Sequence, residues 1–168
     1  MDLFEAIRSR ASVRSLNSCS VSKAEIERIL DAGRRGPSEY NRQPWHFVVI
    51  RNSTILQRLG KIQHCITEGS AAIALVMDEA ASKFWKEDAT ASIENMLLAV
   101  TALGYASVWV EGYVLNQEEN GKEVLGIPDH LRLLAILPIG KPAVEPHQAR
   151  KKPLSEIVYY DRFDKTDI

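Results

Sequence analysis

The chain has 168 residues, with 21 Lys and Arg against 22 Asp and Glu, for a formal net charge of −1. Its 45% hydrophobic and 26% charged residues are the balance of a soluble globular domain. A chain this long can bury roughly 70% of the surface it exposes when unfolded, so it needs no disulfide or metal to fold. Near-neutrality removes any global electrostatic case for nucleic acid or a membrane surface.

Residues Asp2 to Arg10 read as a short helix, with Leu3, Phe4 and Ile7 on one face. The next helix opens on Ser22 and Glu25, which have capping-box spacing, and carries an apolar stripe of Ile26, Ile29 and Leu30. Gly33 and Gly36-Pro37 end it. A loop from Pro37 to Pro44 leads into a β-branched strand, His46 to Ile50. Thr54 to Ile62 reads as a third helix, and the unbroken apolar run Ala71 to Met77 as a buried central strand. That run is too short to cross a bilayer.

Asp88 is placed to cap the strongest helix, in which Ile93, Met96, Leu97, Val100 and Leu103 recur at helical spacing up to Gly104. Ala89, Ala91, Ala99 and Ala102 on the same helix imply close packing on more than one face. Ser107 to Glu111 reads as a strand. Asn116 and Glu119 have cap spacing for a helix to Leu125, which Gly121 weakens by about 1 kcal/mol. Leu131 to Ile139 is the last strand, and Gly140-Lys141-Pro142 breaks the pattern. Elements of both kinds interleave without strict βαβ units. The expected class is therefore one α+β domain, 1–168, with a mixed, mainly antiparallel sheet flanked by helices.

The tail, about residues 143–168, has too little apolar content for a core of its own, yet Ile157, Val158, Tyr159 and Tyr160 form a patch that is costly to expose. Two solutions stand: an arm packed on a second subunit, or a tail folded back on its own domain. Cys19 and Cys65 are far apart and lack metal-ligand spacing, so reduced thiols and a cytoplasmic location are expected. No basic start followed by an apolar stretch marks a secretory signal.

Several catalytic signatures are absent. There is no GxGxxG, P-loop, GxSxG or HxxxH, which removes support for a Rossmann site, a nucleotide-triphosphate site, a serine hydrolase or a zinc enzyme. Four segments remain. Arg10, Ser12 and Arg14 offer two planar guanidinium forks around a hydroxyl, which suits a phosphate; a helix end rich in positive charge explains them equally. The loop Gly36-Pro-Ser-Glu-Tyr-Asn-Arg-Gln-Pro-Trp45 presents Pro37, Ser38, Asn41 and Gln43 as fixed polar contacts for a ring system; ordinary turn chemistry is the alternative, with Trp45 as a core anchor. Glu111 and Gly112 end a strand where a backbone can approach a ligand closely, or where the chain simply turns. Arg150, Lys151 and Lys152 are a second phosphate candidate, or solvated charge.

Taken in order, these segments resemble the FMN-dependent nitroreductase family. The resemblance runs from Ala6-Ile-Arg-Ser-Arg-Ala-Ser-Val-Arg14 through Gly36 to His46 and Ala91 to Gly104, then Gly126-Ile-Pro128, Ile139-Gly-Lys-Pro142 and Lys152 to Val158. It covers nearly the whole chain, and the Pro-Ser, Asn, Gln-Pro-Trp run is its most distinctive part. It implies a homodimer with FMN at the subunit interface and the C-terminal arm wrapping the partner. Arg10, Ser12, Arg14 and one of Arg150, Lys151 and Lys152 would meet the phosphate side. Pro37, Ser38 and Asn41 would come from the other subunit toward the ring, and Glu111 and Gly112 would lie near its reactive nitrogen. NADH or NADPH would donate electrons in a ping-pong sequence to a nitroaromatic, quinone or similar flat acceptor, with no side chain required as acid or base. A sensing or storage flavoprotein, or a specialised flavin enzyme such as a dehalogenase, would use the same loops.

The sequence departs from the family at Ala11, where Arg or Lys is common. It is also short: where larger members insert helices it has only Glu79 to Glu87, with Phe84 and Trp85. The residues from Asp78 to Lys86 are expected beside the substrate, either leaving an open pocket or forming its lid.

Overall fold

The computed structural model describes residues 1–163. Its strands in chain order are β1 (Leu16–Asn17), β2 (Trp45–Ile50), β3 (Ala71–Met77), β4 (Ala106–Ser107) and β5 (Arg132–Pro142). β3 is the strand expected from the unbroken apolar run, and all of its residues are buried. β2 pairs antiparallel along one edge, Trp45 opposite Met77 and Ile50 opposite Ala72. β5 pairs antiparallel along the other, with a bulge between Leu75 and Val76. β1 and β4 both pair with the far end of β5, at Pro142 and Gly140. The sheet order is β1-β5-β3-β2, with β4 added on β5. These pairs are all antiparallel; the parallel contact is a single bridge, Ser12 with Ser107.

Helices cover both faces, because alternate side chains of β3 point to opposite sides. Ile73, Leu75 and Met77 pack against α2 (Lys23–Arg34) and α5 (Trp85–Ala102) through Ile26, Ile29, Ile93, Met96 and Val100. Ala72, Ala74 and Val76 face α3 (Ser53–Leu59), α4 (Cys65–Glu68) and α6 (Gly112–Asn116) through Leu56, Leu59, Ile66 and Val114. The α+β class with an antiparallel sheet between helices is as expected.

The α2 capping box is present in full: Ser22 Oγ accepts the Glu25 N–H, and Glu25 accepts the Ser22 N–H at 2.8 Å. Glu25 also accepts the Tyr105 hydroxyl at 2.9 Å. Other boundaries differ from the expectation. α5 begins at Trp85, so Asp88 is not its cap but lies in its first turn, with its carboxylate spent on other segments. The expected helix from Asn116 is two pieces, α6 and α7 (Glu118–Leu125), and Asn116 closes the first instead of capping the second. The expected strand Ser107 to Glu111 is only β4 and a bridge from Val110 to Ile136.

Glu118 explains where α7 starts. Its carboxylate accepts from Nε and Nη2 of Arg132, each at 2.9 Å, and also accepts the Leu133 N–H at 3.0 Å. That tie sets α7 against the start of β5 and holds the Glu118 carboxyl below the usual carboxylate range, chiefly through the Arg132 hydrogen bonds. Gly121 is the point of closest approach: a Cβ there would sit 2.5 Å from Leu133 Cδ2, in the core.

α1 (Leu3–Ser9) is capped by Asp2, which accepts the Glu5 N–H at 2.8 Å. Its apolar face is not buried in this chain. Ala6 is covered, but Leu3, Phe4 and Ile7 are exposed. The tail from residue 143 likewise leaves Leu154, Ile157, Tyr159, Tyr160 and Phe163 exposed, so it does not fold back into the core. The last part of the expected arm, 164–168, lies outside the described residues.

Two outcomes follow. Gly121→Ala, which would stabilise an ordinary helix by about 1 kcal/mol, is expected here to lower the urea midpoint by overpacking Leu133, at a cost of roughly 1–3 kcal/mol; a raised midpoint would mean Leu133 can yield. Because Glu118 has a lowered carboxyl pKa when folded, its stabilisation is complete above the unfolded value of about 4.3 and is lost as pH falls through the folded value. Melting curves of Glu118→Gln and the parent should therefore converge toward acid pH; a gap that persists unchanged down to pH ~3 would show that this carboxylate does not titrate with folding.

Candidate functional site

The loop between α2 and β2 is held by close packing and by its own hydrogen bonds. Gly36 starts it where a Cβ would meet the backbone nitrogen of Ser92 at 2.9 Å, so the chain leaves α2 pressed onto α5. Ser38 organises the rest: its carbonyl accepts the Asn41 N–H at 3.0 Å, and its hydroxyl accepts the Gln43 N–H at 3.0 Å. Gln43 returns its amide to the Asn41 carbonyl at 3.2 Å. Tyr40, Asn41 and Gln43 all have left-handed backbone, with φ of 45°, 58° and 51°. None is glycine, and each such residue costs roughly 1–2 kcal/mol, a strain that persists only where the surroundings over-determine it. Trp45 is buried as the core anchor, while Pro37, Tyr40, Asn41 and Gln43 stand exposed.

The segment after α1 runs extended. Val13 is buried with Leu16 and Ala106, and its N–H donates to the Ser107 carbonyl at 2.9 Å. With Val13 turned inward, Ser12 and Arg14 face outward, and Arg10 shares their side by the two-residue alternation. Leu16 N–H is held by Glu68 at 2.8 Å, and Arg10 lies 3.6 Å from Glu94. The three predicted phosphate ligands thus lie within five residues of one surface segment, with Ser12 and Arg14 exposed and Arg10 half-buried. The tail joins them: Gln148 donates to the carbonyls of Ile7 and Arg10 at 3.0 and 2.9 Å. Arg150, Lys151 and Lys152 begin two residues beyond that tether, exposed around a shallow cavity of about 220 Å³ with Pro153 and Glu156.

Past Ser107 the chain runs back along β5 by the Val110–Ile136 bridge to Glu111 and Gly112. A Cβ on Gly112 would meet nothing within 4 Å among the described residues, so no contact with them demands glycine there. Along this stretch Ser107 Oγ and Trp109 Nε1, like Ser92 Oγ on α5, are buried with no hydrogen-bond partner among the described residues. The orphaned donors of Ser107 and Trp109, next to the segment that carries Arg10, Ser12 and Arg14, fit a phosphorylated ligand with a flat ring.

Register places these pieces relative to one another. The loop 36–44 enters β2 at Trp45, opposite Met77; the Arg10–Arg14 segment docks through Ser107 opposite Ile139, which pairs with Ala71. Those are opposite ends of β3, about 20 Å apart at 3.4 Å per residue. Within one chain the sequence-expected ring contacts and phosphate contacts are therefore not brought together, while the Arg10, Ser107 and tail segments are. Two residues that no sequence signal marks for this role, Asp88 and Ser82, tie the loop 36–44 to the segment after β3. Asp88 accepts the Glu39 N–H at 2.9 Å and the Ser82 hydroxyl at 2.7 Å. No local pattern signals contacts 49 residues apart.

The nitroreductase family model matches residues 7–86 and 66–141. A relative from Methanothermobacter thermautotrophicus, provisionally named an NADH dehydrogenase/NAD(P)H nitroreductase, is 33% identical over 153 residues, 87% of this chain and 80% of its own length. A crystal structure of a provisionally named nitroreductase from Desulfovibrio desulfuricans in complex with FMN superposes with a TM-score of 0.83 at 30% identity, over 97% of this chain and 98% of that one. A Bacteroides thetaiotaomicron structure, provisionally named like the first relative, gives a TM-score of 0.87 at 28% identity, over 94% and 96% of the two chains. The α+β fold and the ordered loops define a member of this class, and the chain belongs to the nitroreductase family.

Tyr40 is 89% exposed, so its left-handed backbone can be relaxed without emptying a core. Tyr40→Gly is expected to raise the stability of the cofactor-free chain by roughly 1 kcal/mol in urea unfolding. A loss of stability would show that the loop stores no strain at this position.

Proposed function

We propose that this protein is an FMN-dependent oxidoreductase that works as a homodimer, takes electrons from NADH or NADPH, and passes them to a nitroaromatic, quinone or similar flat acceptor. The observation that carries the reading is the surface segment of Arg10, Ser12 and Arg14, docked on Ser107 and roped to the basic tail by Gln148. The Desulfovibrio relative, solved in complex with FMN, supports the choice of cofactor.

Two chains are needed because the ring-facing loop of one chain stands at the opposite end of its own sheet from that segment. The apolar face of α1 supports the same assembly. Leu3 and Ala6 line a groove of about 360 Å³ with Leu98, Ala99 and Ala102 of α5, and the groove is open to solvent in a single chain. The exposed apolar residues of the tail, 143–163 of the proposed arm, supply a complementary surface.

In this arrangement the guanidinium groups of Arg10 and Arg14 and one of Arg150, Lys151 and Lys152 neutralise the phosphate, and Ser12 adds a short donor. Pro37, Ser38 and Asn41 of the partner, with Gln43 in the same loop, would meet the ring, and the Glu111–Gly112 backbone would lie near its reactive nitrogen. FMN, when bound, supplies the redox chemistry. Donor and acceptor take turns on one open face, and the segment 78–86 borders it with Phe84 exposed and Trp85 buried. No described helix is long and apolar enough to cross a membrane. Free Cys19 and Cys65 accord with a cytoplasmic location.

The test is the visible spectrum of the purified protein, followed without oxygen as NADH and then NADPH is added, with sedimentation on the same sample. Flavin bands that bleach, in a particle of two chains, are the expected outcome. Flavin that resists both nicotinamides would favour a storage protein or a specialised flavin enzyme, and no uptake of added FMN would remove the cofactor reading altogether.

A further inference from the structure

A buried carboxylate is costly unless its oxygens are fully used, so its partners show what it is for. Asp88 is 5% exposed, yet it neither caps α5 nor faces a cation among the described ion pairs. One oxygen accepts the Glu39 N–H at 2.9 Å, at the first residue of the turn that contains the left-handed residues Tyr40 and Asn41. The other accepts the Ser82 hydroxyl at 2.7 Å. Ser82 is 2% exposed and itself accepts the Phe84 N–H at 3.2 Å.

Both partners lie outside α5. One belongs to the loop 36–44, the other to the segment 78–86, and the two segments also meet where Asp78 N–H donates to the Pro44 carbonyl at 2.8 Å. Arg42 adds a bond from its guanidinium to the Ala81 carbonyl at 3.2 Å. Ser82 Oγ is also 3.2 Å from Glu39 Oε2, but one hydroxyl proton serves one carboxylate at a time, and the shorter contact is to Asp88. α5 does not need this carboxylate for its own placement: it starts three residues earlier and is fixed by Ile93, Met96 and Val100 in the core.

We propose that Asp88, acting with Ser82, is a positioning residue that holds the strained loop 36–44 in its ring-facing conformation and couples it to the acceptor-side segment 78–86. The inference rests on the flavin reading given above. Asp88 does not touch the reacting atoms; it acts through Glu39 N–H and Ser82. The coupling makes the ring contacts and the acceptor border one unit, so that a change in either is felt by the other.

The test uses the full chain as Asp88→Ala, Asp88→Asn and Ser82→Ala, with hydrogen exchange read by mass spectrometry before and after adding FMN. In the FMN-free protein, Asp88→Ala is expected to speed exchange in 37–44 and 79–85 together, by roughly tenfold or more, with β3 and the rest of α5 unchanged. FMN affinity should fall roughly 10- to 100-fold, the loss of a charge-assisted hydrogen bond to a loop that must be ordered. The visible circular dichroism of the bound flavin should change as well. Asp88→Asn keeps an acceptor for Glu39 N–H and can donate to Ser82 Oγ, so it should restore most of both effects. Ser82→Ala should loosen both segments more mildly, and it tests the coupling if Asp88→Ala fails to fold. Faster exchange confined to one segment, or spread evenly over the chain, would overturn the coupling. Unchanged FMN affinity and flavin dichroism in Asp88→Ala would overturn the positioning role. A parent protein that takes up no FMN would remove the flavin reading and the ring-facing role with it, while exchange in the FMN-free chains still decides whether the two segments move as one.

Discussion

The antiparallel pairing of β3 with β2 and β5 sets where every loop of the candidate site emerges. Trp45 opposite Met77 forces the loop before β2 and the segment after β3 out of the same end of the sheet. Ile139 opposite Ala71 sends the end of β5, with β1 and β4 beside it, to the other end. A slip of one residue in either pairing would turn every β3 side chain to the wrong helix layer, and with both faces packed that is strongly opposed. In the proposed site, the division into a ring-side half and a phosphate-side half is thus a consequence of register, not of any feature of the loops themselves.

The segment 78–86 is held from two directions by groups of different kinds. From the β5 side, Arg132 reaches Glu79 at 2.9 Å while Glu118 grips its other face, and the guanidinium lies 5.6 Å from the Trp85 ring centre. Those ion pairs are partly exposed, so solvent screens them and each alone contributes little; the bidentate geometry and the Leu133 N–H make the cluster stiffer than a lone pair. From the α5 side, Asp88 and Ser82 are buried, where an unmade hydrogen bond costs far more. The outer cluster therefore guides the segment, and the inner one fixes it. That difference in burial is why the Asp88 bond to Glu39 N–H holds the loop more firmly than the exposed pairs that Arg42 and Lys83 make with the Glu39 carboxylate at 3.9 Å.

Much of this architecture was legible because its signals are local. The Ser22–Glu25 capping box involves residues three apart, and the apolar run of β3 needs no partner to be recognised as buried. The site loops were legible only as an ordered set, since each alone has a bland explanation in turn chemistry or surface charge. What stayed hidden depends on distant residues. Asp88 carries a cap-forming side chain at the start of a helical pattern, so local reasoning takes it for a cap; Glu39, far along the chain, claims it instead. Gly121 looked like a weak point in a helix, because nothing nearby in sequence reveals Leu133 pressing on it. The left-handed residues Tyr40 and Gln43 have no sequence signature either, being side chains that ordinarily avoid that region.

α1 shows how cofactor and partner binding would be linked in the proposed dimer. A helix of seven residues does not hold by propensity alone. Within one chain it has the Asp2 cap, one buried residue, Ala6, and the Gln148 tether at its end. Leu3, Phe4 and Ile7 contribute nothing until something covers them. Its last turn runs directly into Arg10, the first of the proposed phosphate ligands. A partner that covers the apolar face would therefore stiffen the chain just where the guanidinium groups must be aimed. A phosphate bound by Arg10 and Arg14 would in turn restrain the end of α1 and favour the covered state. By linkage each would strengthen the other in equal measure.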